Sequence, residues 1–345
     1  MKITFPTFII ASVLCVVTSC KEETKPEVKT ESEMAVTEVV TSNALSAWAD
    51  APKKRIEDWV TAVTTEGAAD FIPVADRIAV FDNDGTLWPE QPVPNQVQFM
   101  FDYLKKEMPN HPEWQKDALL SGVAKGDFEP LKKAGMKGLM SIIDKTHTAQ
   151  TEDEFQASVK TWIDTTMSKK YNKPYDEVVY LPMLQLLDYL KAHDFKNFIV
   201  SGGGADFMRA FAEEAYDIPP YQVIGSYGET KYEVMDGKPT ITKVSGDIYV
   251  DDKAGKPQAI HRFIGKKPVF CGGNSDGDQA MMQYTSSSKY KSMCVILHHT
   301  DGEREFEYDT KTLSGHLETA LVEAKEKNWL VVDMKNDFKT IFDFE

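Results

Sequence analysis

Four short apolar runs govern what this chain can fold into: "RIAVFDND", "FKNFIVSGGG", "KPVFCGGNSD" and "KSMCVILHH". Each ends in polar or glycine-rich residues, and stretches with helical spacing lie between them. Continuous rather than alternating apolarity marks strands buried on both faces, so the pattern predicts an α/β fold with a parallel sheet covered on both sides. In open α/β sheets ligands bind beyond the carboxyl ends of the strands, where three of these four runs carry residues able to handle phosphate or metal.

The N-terminal region reads differently. Residues 1–20, "MKITFPTFIIASVLCVVTSC", have one early lysine, an apolar stretch and small residues before Cys20, the pattern of a secretion signal. "VTSC" resembles the lipobox of bacterial lipoproteins, which implies lipidation of Cys20. The implied location is a membrane, on the periplasmic or cell-surface side of a Gram-negative bacterium. "CKEE" resembles the lysine-plus-acidic signals that send some lipoproteins to the cell surface. Residues 21–44 are too poor in large apolar side chains to bury a core and predict a flexible tether. Removing residues 1–20 takes away one lysine, so the net charge of -15 becomes -16. Such acidity argues against nucleic acid as a partner, because that affinity rests on basic contacts. A lipid anchor is then the only membrane contact predicted, and the sequence sets no oligomeric state.

Between Trp88 and about Tyr180 the pattern is helical. Val97, Phe101, Leu104 and Met108 recur at three and four; Thr151 and Glu154 stand at capping-box spacing ahead of Phe155, Val159, Trp162 and Ile163. The organisation predicted is a core of 45–88 and 181–345, with an all-helical cap over 89–180. A helix carrying Leu184, Leu187 and Leu190 leads back to the sheet, and "YGETKYEVMDGKPTITKV" has the alternation and Asp-Gly turn of a hairpin. Cys271 and Cys294, each inside an apolar run, predict buried free thiols rather than a disulfide.

The chemistry concentrates at the strand ends. Asp82 and Asp84, one residue apart at the end of an apolar run, repel unless something compensates them, and a hard divalent cation such as Mg²⁺ does so with oxygen ligands. Ionised Asp82 is then a candidate nucleophile and Asp84 a candidate proton shuttle. Ser201 precedes three glycines and a helical stretch, predicting a hydroxyl and free amides at a helix N-terminus, an anion site that Gly202 lets a phosphoryl group approach.

"FDNDGTLW", "FIVSGGG", "KAGKPQAI" and "GGNSDGDQAM", in order, resemble the four motifs of the haloacid dehalogenase superfamily, nearest its phosphoserine phosphatase-like branch. The resemblance implies a Rossmann-like core with a helical cap inserted after the first motif. It implies that Asp82 attacks phosphorus to give an aspartyl-phosphate, that Asp84 protonates the leaving alcohol and then activates water, and that Ser201, Gly202 and Thr86 bind the phosphate. Lys256, rather than Lys253, is chosen as the motif lysine because "PQAIHRFIG" follows it in helical phase. The fourth motif departs from the pattern: Asn274 stands where relatives place an aspartate, so the metal ligands come from Asp82, Asp84, Asn274, Asp276 and Asp278, with the direct contact open between Asn274 and Asp276. Trp88 and Glu90 follow the first motif where that branch holds an amino group, so they are candidate contacts for a cationic head group. His298 and His299 read as structural.

Together these readings predict a Mg²⁺-dependent hydrolase of a small phosphomonoester, phosphoserine or another amine-bearing ester included. The alternatives are a phosphotransferase and a catalytically weakened ligand-binding lipoprotein.

Overall fold

The computed structural model describes residues 44–312 and 314–345. Cys20, the signal stretch and, but for Ala44, the tether lie outside the described residues. The strands described are β1 (Ile78–Phe81), β2 (Gln150–Thr151), β3 (Lys196–Gly204), β4 (Val223–Ser226), β5 (Thr230–Met235), β6 (Lys238–Lys243), β7 (Phe270–Gly273), β8 (Met293–His298) and β9 (Leu330–Asp333).

Six of them form one sheet in the order β4, β3, β1, β7, β8, β9, with every neighbouring pair parallel. The α/β reading therefore holds, and the four apolar runs are its central strands. Side chains along β1 alternate between two apolar clusters. Ala79 and Phe81 join Ile199, Phe270 and Val295 on one face, whereas Ile78 and Val80 join Val200, Cys271 and Ile296 on the other. Helix α1 (Asp50–Thr64) adds Ile56, Trp59, Val60 and Val63 to the first cluster. Cys271 and Cys294 face each other in register across β7 and β8, both buried and both free.

The chain between β1 and β3 carries helices α2 (Asn95–Glu107), α3 (Glu129–His147) and α4 (Glu152–Thr165). The capping box opens α4: Glu154 N–H donates to Thr151 Oγ1 at 3.1 Å and Thr151 N–H to Glu154 Oε2 at 2.8 Å. Helix α3 is broken at Gly135, whose φ of 56° and ψ of -142° suit a residue without Cβ. Helix α5 (Leu181–Ala192) then buries Leu186, Leu187 and Leu190 and returns the chain to β3.

This insertion is not all-helical. Its β2 pairs antiparallel with Lys243 and Thr242 of β6, joining the β5–β6 hairpin in a second, three-stranded sheet. The hairpin turns at Asp236 and Gly237, both left-handed at φ 51° and 78°, as a two-residue primed turn requires. One edge of that hairpin has backbone groups needing partners, and two extended residues ahead of α4 supply them.

Candidate active site

The loop after β1 folds back on itself. Asn83 C=O accepts from the N–H groups of Thr86 and Leu87, and Gly85 N–H donates to Trp88 C=O at 2.8 Å. Gly85 has φ 73°, and a Cβ there would lie 2.1 Å from Asn274 Nδ2 and 2.4 Å from Glu90 Oε1, so the turn admits only glycine. This close turn brings Asp82 and Asp84 to the carboxyl end of the sheet, between the ends of β3 and β7.

Lys256, 2% exposed, comes to the same point from the helical segment after the hairpin. Its Nζ donates to Asp82 Oδ1 at 2.7 Å and to Asp278 Oδ1 at 2.6 Å. Burial works against the charge on Lys256, but Asp278 and Asp82 outweigh it and raise the lysine pKa. Burial likewise pushes Asp82 well above the ordinary carboxylate range, with Lys256 opposing. Asp84 is raised by burial too, against a hydrogen bond from Trp88 Nε1 to its Oδ1 at 2.7 Å. Lys253, the other candidate, is exposed and has left-handed backbone at φ 51°.

Ser201 is buried, and its Oγ accepts from Gly203 N–H at 3.1 Å. The anion site expected there takes a different form. The strand runs on through Gly204, the helix beyond has only five residues, and Gly204 N–H is taken by Gln96 Oε1 of α2 at 2.8 Å. The helix start therefore lies beyond Gly204 rather than directly after Ser201, since three glycines let the strand continue past it.

Above these groups lies a cavity of about 720 Å³. Its floor includes Asp82, Asp84, Ser201, Gly202, Lys256 and Asn274, and its other walls come from the insertion, the hairpin region, the loop after β7 and residues 314–316.

The sequence model of the haloacid dehalogenase-like hydrolases matches residues 79–283, more than half of the chain. The chain belongs to the haloacid dehalogenase-like hydrolase family. Among solved structures, a conserved protein of unknown function from Anaerococcus prevotii is similar at 14% identity and a TM-score of 0.52, over 85% of this chain and 96% of that one. A phosphoserine phosphohydrolase-like protein from Francisella tularensis aligns at 18% identity and a TM-score of 0.36, over 73% of this chain and 98% of that one. The first likeness shows the fold. No curated protein sequence matches the chain.

Several side chains of this haloacid dehalogenase-like hydrolase have partners other than those its sequence suggested. Trp88 is fully buried and stacks on Phe211 with ring centroids 4.6 Å apart, so its face is closed to a head group and its indole N–H holds Asp84 instead. Glu90 is also committed: its Oε1 accepts from Asn274 Nδ2 at 2.6 Å and from Tyr308 Oη at 2.9 Å, and burial lifts its pKa to about 7. Thr86 is fully buried and donates from Oγ1 to Asn274 Oδ1 at 3.3 Å rather than lining the cavity.

Two of the proposed metal ligands are likewise engaged. The Asp276 carboxylate accepts the N–H groups of Glu318, Thr319 and Ala320 at 2.9–3.1 Å, starting helix α6 (Thr319–Lys327). Burial there would raise its pKa, but those three donors prevail and lower it. Asp278 accepts at Oδ1 from Lys256 and at Oδ2 from the N–H groups of Asn274 and Ser275 at 2.9 and 3.0 Å, so both of its oxygens already have partners in the protein. What remains for a cation is Asp82, Asp84 and the neutral Asn274 Oδ1. That donor set is all oxygen, and among the described residues Lys256 is the one cation paired with buried Asp82 and Asp278, with Asp84 beside them, which fits a hard divalent ion. Among the described residues no group of three or more His, Cys, Asp and Glu side chains is placed to hold one. A site of two carboxylates and one amide is consistent with that.

Sequence reasoning did not find the support beneath the loop. His299 Nε2 lies 2.8 Å from Gly85 O and its Nδ1 3.1 Å from Glu305 Oε2; since both neighbours only accept, both ring nitrogens carry protons. Burial would lower the His299 pKa, but Glu305, Glu90 and the Gly85 carbonyl together outweigh burial and raise it. Tyr180 Oη also donates to Glu305, at 3.0 Å. The only local signal was the adjacent pair of histidines.

Two substitutions test these assignments. At pH 8, Asn274→Asp should place a second carboxylate against buried Glu90 and cost roughly 3 kcal/mol or more in chemical denaturation, while Glu90→Gln added to it should restore most of that loss. Additive effects of the two changes would contradict the contact. Asp276→Ala should cost about 1 kcal/mol by removing the start of α6, with Mg²⁺ affinity by calorimetry unchanged; a large fall in affinity would return Asp276 to the ligand set.

Proposed function

We propose that the protein is a Mg²⁺-dependent phosphomonoester hydrolase that works through an aspartyl-phosphate. The observation that carries this reading is the buried Lys256–Asp82 pair on the cavity floor, with Asp84 beside it. Asp82 gives Oδ1 to Lys256, which leaves Oδ2 to attack phosphorus as the bond to the leaving alcohol breaks. Asp84 faces the same cavity and, as the carboxylic acid, would donate its proton to that alcohol. As a carboxylate it then accepts a proton from the water that attacks phosphorus, releasing inorganic phosphate and free Asp82. Lys256 favours the ionised form of Asp82 against the effect of burial and would offset charge on the phosphoryl group, and Ser201 and Gly202 stand where phosphoryl oxygens would be received. Asp82, Asp84 and Asn274 would hold Mg²⁺, which when bound neutralises negative charge shared between the floor and the phosphate.

The location belongs to the same reading. Lipidation of Cys20 would tether the enzyme on the periplasmic or surface side of a Gram-negative envelope, a place suited to scavenging phosphate esters. Among the described residues no helix is long and apolar enough to cross a membrane.

Asp82→Asn should abolish turnover and labelling by beryllofluoride, and chelation should silence the wild type until Mg²⁺ is returned; substantial activity in the variant would refute the nucleophile. Cys20→Ala should move the protein to the soluble fraction after cell lysis, and continued membrane association would rule out the lipid anchor.

A further inference from the structure

We infer that the cavity selects phosphomonoesters of apolar alcohols, alkyl or aryl, rather than amine-bearing ones. This rests on the hydrolase reading above. Of the two side chains that suggested a cationic head group, Trp88 is closed off by Phe211, and Glu90 borders the cavity with its Oε1 already held by Asn274 and Tyr308.

The wall opposite the floor is apolar. After the break at Gly135, Met136, Leu139, Met140 and Ile143 recur at i, i+3, i+4 and i+7, so one helical face carries all four, and all four line the cavity. Val97 and Met100, three apart on α2, extend the same wall. An amphipathic helix ordinarily buries such a stripe in protein. Here the stripe borders the cavity, and Met136 remains 67% exposed. Two methionines in it supply flexible side chains that adapt to varied apolar shapes.

Several polar groups near this wall are engaged with one another. Gln96 spans Gly204 N–H and His147 Nε2, and burial lowers the His147 pKa to about 3, which keeps that ring neutral. Lys243 and Asp206 pair with each other. Size agrees with this chemistry, because about 720 Å³ lies in the range that encloses an organic ligand of drug size, well beyond a phosphate with a short polar stub. A ligand fixed by its phosphate at Asp82 would lay its organic part along the methionine stripe.

The test is kcat/KM for n-alkyl phosphates from methyl to hexyl, with O-phosphoserine alongside and with Met140→Glu beside the wild type. The wild-type value should rise about two- to fourfold for each methylene, the factor expected from burying one, and hexyl phosphate should exceed phosphoserine. Met140→Glu should flatten that dependence. A flat or falling series in the wild type, with the esters turned over, overturns the inference and leaves the hydrolase reading standing. If no ester is hydrolysed, the hydrolase reading falls, and calorimetry with n-alkylphosphonates decides the apolar wall by itself. Affinity that grows with chain length and loses that growth in Met140→Glu upholds the wall; affinity independent of length overturns it.

Discussion

One buried ammonium holds this site together. Lys256 sits between Asp82 and Asp278, and neither pair survives without it. Removing one partner from a buried ion pair leaves a charge with no water and no counterion, at a cost of roughly 3–5 kcal/mol. The constraint reaches beyond the three residues. Asp82 follows β1, Asp278 follows β7 and Lys256 follows the hairpin, so this pairing joins three separate chain segments at the carboxyl edge of the sheet. The other Asp278 oxygen then sets the Asn274–Ser275 backbone, which presents Asn274 to the loop after β1.

Beneath that floor lies a second tier in which charge is moved back from the reacting position. Where the family pattern has an aspartate, this chain has a neutral amide, and the carboxylate stands one layer behind it in Glu90. Tyr308 and Thr86 complete the hydrogen bonds of this pair, while His299 and Glu305 brace Gly85 from the far side. A carboxylate at position 274 and Glu90 could not both be ionised at this separation, so the two residues form one unit.

The parts legible in the sequence are those whose causes are local. The apolar runs of β1, β3, β7 and β8 are continuous because both faces are covered, and the Asp236–Gly237 turn and the Thr151–Glu154 box are spelled out within a few residues. Lys256 was recognisable from the helical phase that follows it. Strands β4 and β9 were missed because each has four residues and owes its state to one sheet neighbour. Asp276 looked like a metal ligand because its destination, the amides of 318–320, lies some forty residues on. The long-range partners of Trp88 and Glu90 were hidden for the same reason, since Phe211 and Tyr308 meet them from far along the chain.

The three-stranded sheet has a consequence for how the molecule is made. β2 finds its partner in β6, about ninety residues later, and Asp82 meets Lys256 across a separation of 174. Contacts this distant require a large loop to close before they contribute anything, which places them late in folding and makes them slow. During synthesis the first half of the chain can form its helices, but β1 waits for β3 and then β7, and the two acidic residues after it wait for their lysine. The nascent enzyme therefore holds Asp82 and Asp84 without their counter-charge until more than two thirds of the polypeptide exists, and the catalytic floor closes only as one of the last steps of folding.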